Sequence, residues 1–439
     1  MLLLVFLAAL ICRLIAINQS LWLDEAISLN VVRNYSFFEI INKFSPSDFH
    51  PPGYYLLLKL WTAPFSISVI SGRLLSIFLS LAAGFYLYHL VRFIKNRRAA
   101  VWALSLFLFN PLIIYYSHEI RMYSLVVFLL TAATFYFIKI LNSPQIKLRH
   151  LFLFNLFSGL AFLTFYGSVF LIVSFYIFVF FGKNHRYLFP KLLPGFVISL
   201  LIIFPLLVSQ YKNSSLMLSS VKNWTLVLGQ VTLKNLLLIP IKFIAGRVTF
   251  YPKVIYYLIS GLSVIVTFFI ASTGFLKNKL VLFLFFFPIF IATLFSFTSP
   301  MLQYFRFLYL IPIMCLALSF ADRRHLSLVL VIFVSFSFFY LFDWNQHRED
   351  WKDLASSIDT QKPVLIISSF ADPLSYYSPQ AILIDYRNTE TLAAQNQVTV
   401  VPYGQEIHGL NHSIILQNLG FHQQEIKNFR GLTSEIWTR

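Results

Sequence analysis

The chain has 439 residues, of which 58% are hydrophobic and 12% charged, and its net charge at pH 7 is +17. A water-soluble fold of this length cannot bury so large an apolar fraction, so composition excludes a soluble globular protein and indicates a membrane protein with several spans. The positive charges fall between apolar runs, where membrane lipids and phosphate-bearing ligands are the nearest partners, and we expect no nucleic-acid binding.

Apolar runs long enough to cross a bilayer recur through the first 342 residues. A span needs about 20 such residues, and a helix satisfies its own backbone in lipid. The first run has no basic N-terminal residues and is interrupted by Arg13, so we interpret it as a retained helix rather than a signal peptide. The sequence predicts about eleven helices, over residues 2–17, 71–93, 99–114, 122–141, 151–165, 167–181, 188–208, 254–276, 280–297, 305–320 and 326–342.

Every second connection between these helices is short and basic, beginning with the segment that contains Arg92, Lys95, Arg97 and Arg98. The positive-inside rule therefore predicts a cytoplasmic N-terminus and three exterior regions: a first exterior loop at 18–70, a second region at 209–253, and the tail at 343–439. Region 209–253 departs from the rule, because it is basic and has no acidic residue. It is either a long loop, to which the positive-inside rule applies only weakly, or a surface that binds a phosphate-bearing carrier. Its basic residues are Lys212, Lys222, Lys234, Lys242, Arg247 and Lys253.

The chain changes character after Phe342. Up to that residue 27 Lys and Arg stand against 6 Asp and Glu, whereas the tail has 7 against 11. The tail pattern predicts a helix at 348–358 and strands at 364–368, 381–384 and 398–401. We therefore expect an all-α polytopic membrane part, residues 1–342, followed by a small extracytoplasmic α/β domain, residues 343–439.

Acidic residues are scarce enough before Phe342 to restrict any carboxylate chemistry. Five of the six face the exterior under the predicted topology, and four of those lie in the first exterior loop. By itself an adjacent Asp-Glu pair is more often a helix cap than a site, and an acid beside an arginine at the end of a span is a common interfacial ion pair. The six are Asp24, Glu25, Glu39, Asp48, Glu119 and Asp322.

Three exterior segments together resemble the GT-C glycosyltransferases, specifically the bacterial relatives of the dolichyl-phosphate-mannose-protein mannosyltransferases and of the lipid A aminoarabinose transferases. The resemblance is strongest over residues 22–181, and weaker matches follow at Gly159-Leu160-Ala161, at Arg306 with Pro312, and at Glu349-Asp350-Trp351-Lys352. The motifs that carry it are Trp22-x-Asp24-Glu25, His50-Pro51-Pro52-Gly53-Tyr54-Tyr55 followed by Ser71-Gly72-Arg73-Leu74, and Tyr116-Ser117-x-Glu119-x-Arg121-Met122-Tyr123.

The resemblance implies a membrane glycosyltransferase that moves a sugar from a polyprenyl-phosphate type of lipid donor to an extracytoplasmic glycan, lipid or protein acceptor, with inversion. The acidic pair Asp24 and Glu25 would be catalytic, with Asp24 as the base that deprotonates the acceptor hydroxyl. Departure of the lipid phosphate calls for nearby cations. The implied donor-phosphate residues are Arg121, Arg306 and Tyr123, and the implied substrate-positioning residues are His50, Glu119, Trp22 and Tyr54. The mechanism requires no cofactor, and the sequence does not indicate a site for a divalent metal.

Two other classes also fit a polytopic helical protein. One is a transporter or permease, and the other is a non-catalytic membrane protein of glycan assembly. The predicted spans contain few acidic residues and show no inverted repeat, which favours the transferase over the transporter. The assembly protein would keep the fold without needing Asp24.

Overall fold

Helices form the apolar part of the chain. The computed structural model describes residues 1–221, 223 and 228–439, so the expectation for Lys222 lies outside the described residues. Counting α-helices of six or more described residues, the order before the tail is α1 (Leu2–Leu14), α2 (Leu23–Asn34), α3 (Gly53–Phe65), α4 (Val69–Ile94), α5 (Arg97–Leu108), α6 (Pro111–Ser117), α7 (Tyr123–Leu141), α8 (Leu148–Phe162), α9 (Val169–Phe181), α10 (Pro194–Ser220), α11 (Leu233–Ala245), α12 (Lys253–Lys277), α13 (Lys279–Ser296), α14 (Ile311–Leu318) and α15 (Arg323–Phe342).

The number of membrane spans differs from the expectation. Within the described residues, six helices are long and apolar enough to cross a membrane, or seven if the bent pair α5 and α6 is one span. Four apolar helical segments are shorter: Leu2–Leu14, Leu148–Phe162, Tyr166–Phe181 and Tyr304–Leu318. The all-helical membrane architecture is confirmed, whereas the count of eleven spans is not.

The predicted helix at 99–114 is instead broken at Asn110 and Pro111. The helices on either side of the break meet at an angle of 60°. Proline disfavours helical geometry in the residue before it and is well suited to the first position of a new helix. The Asn110 side chain completes the break, because it accepts hydrogen bonds from two backbone N–H groups of α6 and donates to the Phe243 carbonyl at 2.7 Å. The break turns the segment after α6 toward the first exterior loop.

The first exterior loop is ordered rather than irregular. It contains α2, a five-residue π-helical turn (Ile40–Phe44), a 3-10 turn (Ser45–Ser47) and α3. Gly53 opens α3, and its N–H donates to the Leu163 carbonyl at 3.1 Å; a Cβ there would lie 2.5 Å from the same oxygen. Glycine at this point therefore lets the loop pack directly on the chain between α8 and α9.

Helices pack closely where one partner has a glycine. A Cβ on Gly195 of α10 would lie 2.1 Å from the Asn155 carbonyl oxygen of α8, and one on Gly274 of α12 would lie 2.0 Å from the Ala317 carbonyl oxygen of α14. Small residues at such contacts allow the backbones to approach, which is how helices associate in lipid without a hydrophobic driving force.

The tail forms a mixed sheet with helices. Its helices are α16 (Trp351–Ser356), α17 (Asp372–Tyr377) and α18 (His412–Asn418), and its strands are β1 (Pro363–Leu365), β2 (Ile382–Ile384), β3 (Gln397–Val400), β4 (His422–Phe429) and β5 (Leu432–Thr438). The strand order is β2-β1-β3-β5-β4, with β1 parallel to β2 and β3, and with β5 antiparallel to β3 and β4. The hairpin of β4 and β5 was not predicted, because β4 is largely polar and exposed.

The tail packs on α2 and on the turn before it. The Leu21 N–H donates to the Tyr377 hydroxyl at 2.8 Å, and the Asn30 amide donates to the Asp372 carboxylate at 2.8 Å. The Lys352 N–H donates to the Ser20 hydroxyl at 3.1 Å. These bonds hold the start of the tail beside the first acidic residues of the chain.

Candidate active site

Glu25 forms a buried ion pair with Arg73 of α4. Both side chains are almost fully buried, and the pair is bidentate, with Arg73 Nη2 to Glu25 Oε2 at 2.7 Å and Nε to Oε1 at 2.9 Å. Glu25 Oε1 also accepts from the Ile120 N–H at 3.0 Å. The other Arg73 donors bond to three backbone carbonyls of the turn after α1, those of Ile17, Gln19 and Ser20. Glu25 thus joins three segments and has little capacity left to accept a substrate proton.

Asp24 lies one residue earlier and has a different environment. Its side chain is 28% exposed, and its Oδ2 is 3.5 Å from Arg121 Nη2. Arg121 Nη1 donates to the Tyr55 hydroxyl at 3.2 Å, and Arg121 Nε is buried without a hydrogen-bond partner. Asp24 therefore combines solvent access with a loosely held cation, as a general base beside an anionic leaving group requires.

A second carboxylate, Asp48, adjoins the same arginine. Asp48 precedes the His50-Pro51-Pro52-Gly53 motif, its Oδ1 accepts from the Phe49 N–H at 2.8 Å, and its carboxylate also interacts with the Tyr55 hydroxyl. Burial raises the pKa of Asp48, and the nearby Arg121 lowers it in part. Sequence reasoning had included Asp48 among the exterior acids but not in the site; its position immediately before the motif was the available signal.

His50 lies within electrostatic reach of both Arg121 and Arg306. Burial lowers the pKa of His50 well below its usual value, and the positive charges of Arg121 and Arg306 lower it further, so the imidazole is neutral at pH 7. Arg306 is on the 3-10 turn Tyr304–Leu310 and has no ion-pair partner within the described part of the chain. Tyr123 packs edge-on against Phe305, with ring centroids 5.7 Å apart. Of Arg121, Arg306 and Tyr123, the residues expected to bind the donor phosphate, Tyr123 thus lies within electrostatic reach of both arginines.

Glu119 pairs with a residue of the tail that sequence reasoning did not assign to the site. Its Oε1 forms an ion pair with Arg348, while its Oε2 is buried without a partner. Burial raises the pKa of Glu119, and Arg348 lowers it in part. The Arg348 guanidinium also lies over the Trp22 indole, 3.6 Å from the ring centroid. Trp22 and Glu119 are therefore connected to each other through the first residues of the tail.

Glu349 and Tyr403 extend this contact toward Asp24. The Tyr403 hydroxyl is 3.4 Å from Glu349 Oε1, and Glu349 Oε2 is buried without a partner. Burial raises the pKa of Tyr403, and the negative charges of Glu349 and Asp24 both add to this rise. The weak motif that opens the tail was the one sequence signal for Glu349; Tyr403 had none.

The remaining residues of interest lie in the second and third motifs and in region 209–253. The Tyr54 hydroxyl is buried without a hydrogen-bond partner. His118, which interrupts the third motif, bonds to the Arg13 carbonyl at 2.6 Å and to the Tyr340 hydroxyl at 3.1 Å. In region 209–253, Arg247 interacts electrostatically with Glu119 and with Arg348. Among residues 1–221, 223 and 228–439, no group of three or more His, Cys, Asp or Glu side chains could hold a metal ion.

Comparisons with known proteins give one family match and several structural matches. The family model for dolichyl-phosphate-mannose-protein mannosyltransferases matches residues 49–209. No curated protein sequence matches. The structure of ArnT from Cupriavidus metallidurans bound to undecaprenyl phosphate is similar with a TM-score of 0.52 and 11% identity, over 99% of this chain and 97% of that one. The archaeal oligosaccharyltransferase AglB from Archaeoglobus fulgidus, in complex with an inhibitory peptide and a dolichol-phosphate, gives a TM-score of 0.51 and 13% identity, over 90% of this chain and 69% of that one.

Proposed function

We propose that this chain is a membrane glycosyltransferase of GT-C type that transfers a sugar from a polyprenyl-phosphate donor to a hydroxyl acceptor. The family match over residues 49–209 and the shared fold support the proposal. The structures of ArnT and AglB contain undecaprenyl phosphate and a dolichol-phosphate, which supports a lipid-linked donor for this chain as well. The observation that carries the proposal is the contrast between Asp24, partly exposed and loosely paired, and the enclosed pair of Glu25 with Arg73.

The proposed reaction is a single displacement. An Asp24 carboxylate oxygen takes the proton of the acceptor hydroxyl. The acceptor oxygen attacks the anomeric carbon at the same time, and the bond from this carbon to the phosphate oxygen breaks. The electron pair leaves with the lipid phosphate. Attack from the side opposite the leaving group inverts the configuration at the anomeric carbon.

Two arginines would bind the departing phosphate. Arg306 has no carboxylate partner among the described residues, so its charge is available to the leaving group. Arg121 contacts Asp24 and Tyr55, so its cation would lie close to both the base and the departing phosphate. Fixed cations stabilise developing negative charge most effectively in a site that excludes water. Neutral His50 beside both arginines adds no further positive charge and can position a hydroxyl.

The tail would contribute the acceptor side. Glu349 Oε1 is next to the Tyr403 hydroxyl, and Glu349 Oε2 is buried without a hydrogen-bond partner. The negative charge of Asp24 helps to raise the pKa of Tyr403. A carboxylate oxygen with no protein donor is suited to accept a hydrogen bond from an acceptor hydroxyl. In this arrangement Arg348, which stacks on Trp22 and pairs with Glu119, orients Glu349 rather than touching the donor.

The first test compares Asp24→Asn with the wild type. Loss of the general base should lower sugar transfer by about 100-fold or more, while the variant remains folded in detergent, because the Asn amide oxygen can still accept a hydrogen bond from Arg121. The assay follows labelled sugar from a polyprenyl-phosphate donor into envelope material of a strain that lacks the protein. The product anomer, read by NMR, checks inversion.

A matched control is Glu39→Gln in the same exterior loop. Glu39 is an exposed acid that pairs with Lys43, so its removal should leave transfer unchanged. Full activity of Asp24→Asn would reject the mechanism. Solute uptake into vesicles by the purified protein, with no sugar transfer, would favour the transporter.

A further inference from the structure

A separate cavity lies at the opposite end of the helix bundle from Asp24. It has a volume of about 680 Å³, and that size is within the range of small-molecule sites. Within helix α4, Arg73 lies beside the candidate active site, and Ile94 at the end of the helix is next to Lys95 of the cavity. The stretch of helix from Arg73 to Ile94 is roughly 33 Å long at 1.5 Å per residue. The cavity is therefore independent of the proposed reaction.

The walls of this cavity divide into a basic rim and an apolar interior. Lys95, Arg98 and Arg323 contribute the cations of the rim, and Val5, Trp102 and Leu330 contribute to the apolar wall. Helices α5 and α15 begin at this rim, at Arg97 and Arg323, so their N-terminal dipoles add to the positive potential. A ligand that fits both parts has an anionic group joined to an apolar chain.

The cations of the rim have few negative partners. Lys95 Nζ donates to the Ser319 carbonyl at 2.8 Å and lies over the Phe320 ring. Neither Arg98 nor Arg323 has an ion-pair partner in the described part of the chain. Burial lowers the pKa of Lys95, the nearby Lys277 lowers it further, and Asp322 raises it in part. An anion at the rim would balance this excess of positive charge.

We propose that the cavity binds an anionic phospholipid, with its phosphate at the basic rim and part of one acyl chain along the apolar wall. Basic pockets between helices on the cytoplasmic side of membranes bind anionic headgroups in this way. The rim belongs to the connections that the positive-inside pattern predicts to be cytoplasmic, where anionic lipid is available. The lipid would join α1, α5 and α15 at a point where protein contacts leave a gap.

The test uses charge-matched pairs of arginines. All four arginines are exposed, but only Arg98 and Arg323 line the cavity, whereas their neighbours Arg97 and Arg324 do not. Delipidated full-length protein is titrated with phosphatidylglycerol or with phosphatidylcholine of the same acyl chains, and bound lipid is counted by native mass spectrometry. We expect phosphatidylglycerol to bind more tightly, and R98Q/R323Q to weaken it about tenfold or more. R97Q/R324Q should bind as the wild type does.

A second variant and a second probe separate the alternatives. Leu330→Trp fills the apolar wall and leaves every charge in place, so it should also weaken lipid binding while the thermal midpoint of the lipid-free protein is retained. Equal binding of the two lipids, or equal losses in the two arginine pairs, would overturn the proposal. Stabilisation by inorganic phosphate alone, through Arg98 and Arg323 but without lipid binding, would overturn it in favour of a free-anion site.

Discussion

Asp24 and Glu25 are neighbours in the sequence, but the fold gives their carboxylates opposite surroundings. Successive helical residues point about 100° apart, so Glu25 turns toward Arg73 while Asp24 remains partly exposed beside Arg121. The sequence identified the pair and named Asp24 as the base. It could not show that Glu25 is enclosed, because its partner lies 48 positions away. The catalytic roles of Asp24 and Glu25 remain predictions, and the enclosed pair with Arg73 leads us to infer that Glu25 positions the loop rather than accepts a proton.

The buried atoms of the site also show what sequence cannot supply. Glu119 Oε2 and Glu349 Oε2 are each buried without a hydrogen-bond partner. Unsatisfied buried oxygens are costly, and in a folded protein they call for an explanation such as a bound ligand or water. The surroundings of these oxygens depend on long-range contacts between the first exterior loop, the segment after α6 and the tail, which no local pattern encodes.

His50 provides a pH prediction at the residue scale. The pKa of His50 is lowered in the folded protein, so the unfolded chain protonates first as pH falls below about 6.5 and the folded state loses stability. The loss is at most about 1.4 kcal/mol per pH unit for one group. His50→Gln should remove this contribution and make the thermal midpoint fall less between pH 7 and pH 5.

The control for His50 is His325→Gln, since His325 is exposed at the other end of the bundle. This variant should keep the pH dependence of the wild type. If His50→Gln and the wild type lose stability in parallel over the same pH range, the neutral buried imidazole is contradicted.

At the scale of elements, sequence located helices better than it located their ends. The expected run at 254–276 corresponds to α12, and the split between 165 and 167 corresponds to the chain between α8 and α9. Hydrophobic periodicity marks such segments strongly. The bend at Asn110 and Pro111 was not predicted although proline is a signal for it, because the apolar residues on both sides favoured one continuous helix. The hairpin of β4 and β5 was missed because polar residues masked its alternation.

One buried ion pair, between Arg348 and Glu119, contributes to the contact between the tail and the membrane part. Arg348→Gln leaves Glu119 as a buried carboxylate without its cation, and breaking a buried pair in this way costs about 3–5 kcal/mol. We expect a lower thermal midpoint and faster proteolysis of the tail, measured on the purified full-length chain. The double variant Glu119→Gln/Arg348→Gln should recover part of the loss, because no unpaired charge then remains.

The tail also offers an exposed ion pair as the control for Arg348. Arg387 pairs with Asp385, but its side chain is 81% exposed, so Arg387→Gln should change stability by no more than about 1 kcal/mol. Similar effects of Arg348→Gln and Arg387→Gln would contradict a structural role for the buried pair.

At the scale of the whole molecule, the apolar composition fixed the class of protein but not the number of spans. Several apolar helical segments of the described chain are shorter than a bilayer needs, among them Leu2–Leu14, Leu148–Phe162 and Tyr304–Leu318. In a bundle, neighbouring helices can cover such a segment, so an apolar segment need not cross the membrane. The sequence pattern alone does not show which apolar segments are covered by protein. The acids show the two ends more clearly: of the six acidic residues before Phe342, only Asp322 adjoins the basic connections, next to Arg323 and Arg324.

Sidedness is the whole-molecule property on which the proposed reaction rests, because the acceptor hydroxyl must meet Asp24 outside the cytoplasm. In a background where Cys12 and Cys315 are replaced by serine, Lys43→Cys places a thiol in the first exterior loop, where the native side chain is 67% exposed. Arg97→Cys places a thiol at the opposite, basic end. A membrane-impermeant maleimide added to intact spheroplasts should label the cysteine at 43 and should label the one at 97 after permeabilisation. The reverse pattern would place Asp24, Arg121 and Arg306 in the cytoplasm and would require a cytoplasmic donor, since the carboxylate and both cations lie at one end of the bundle.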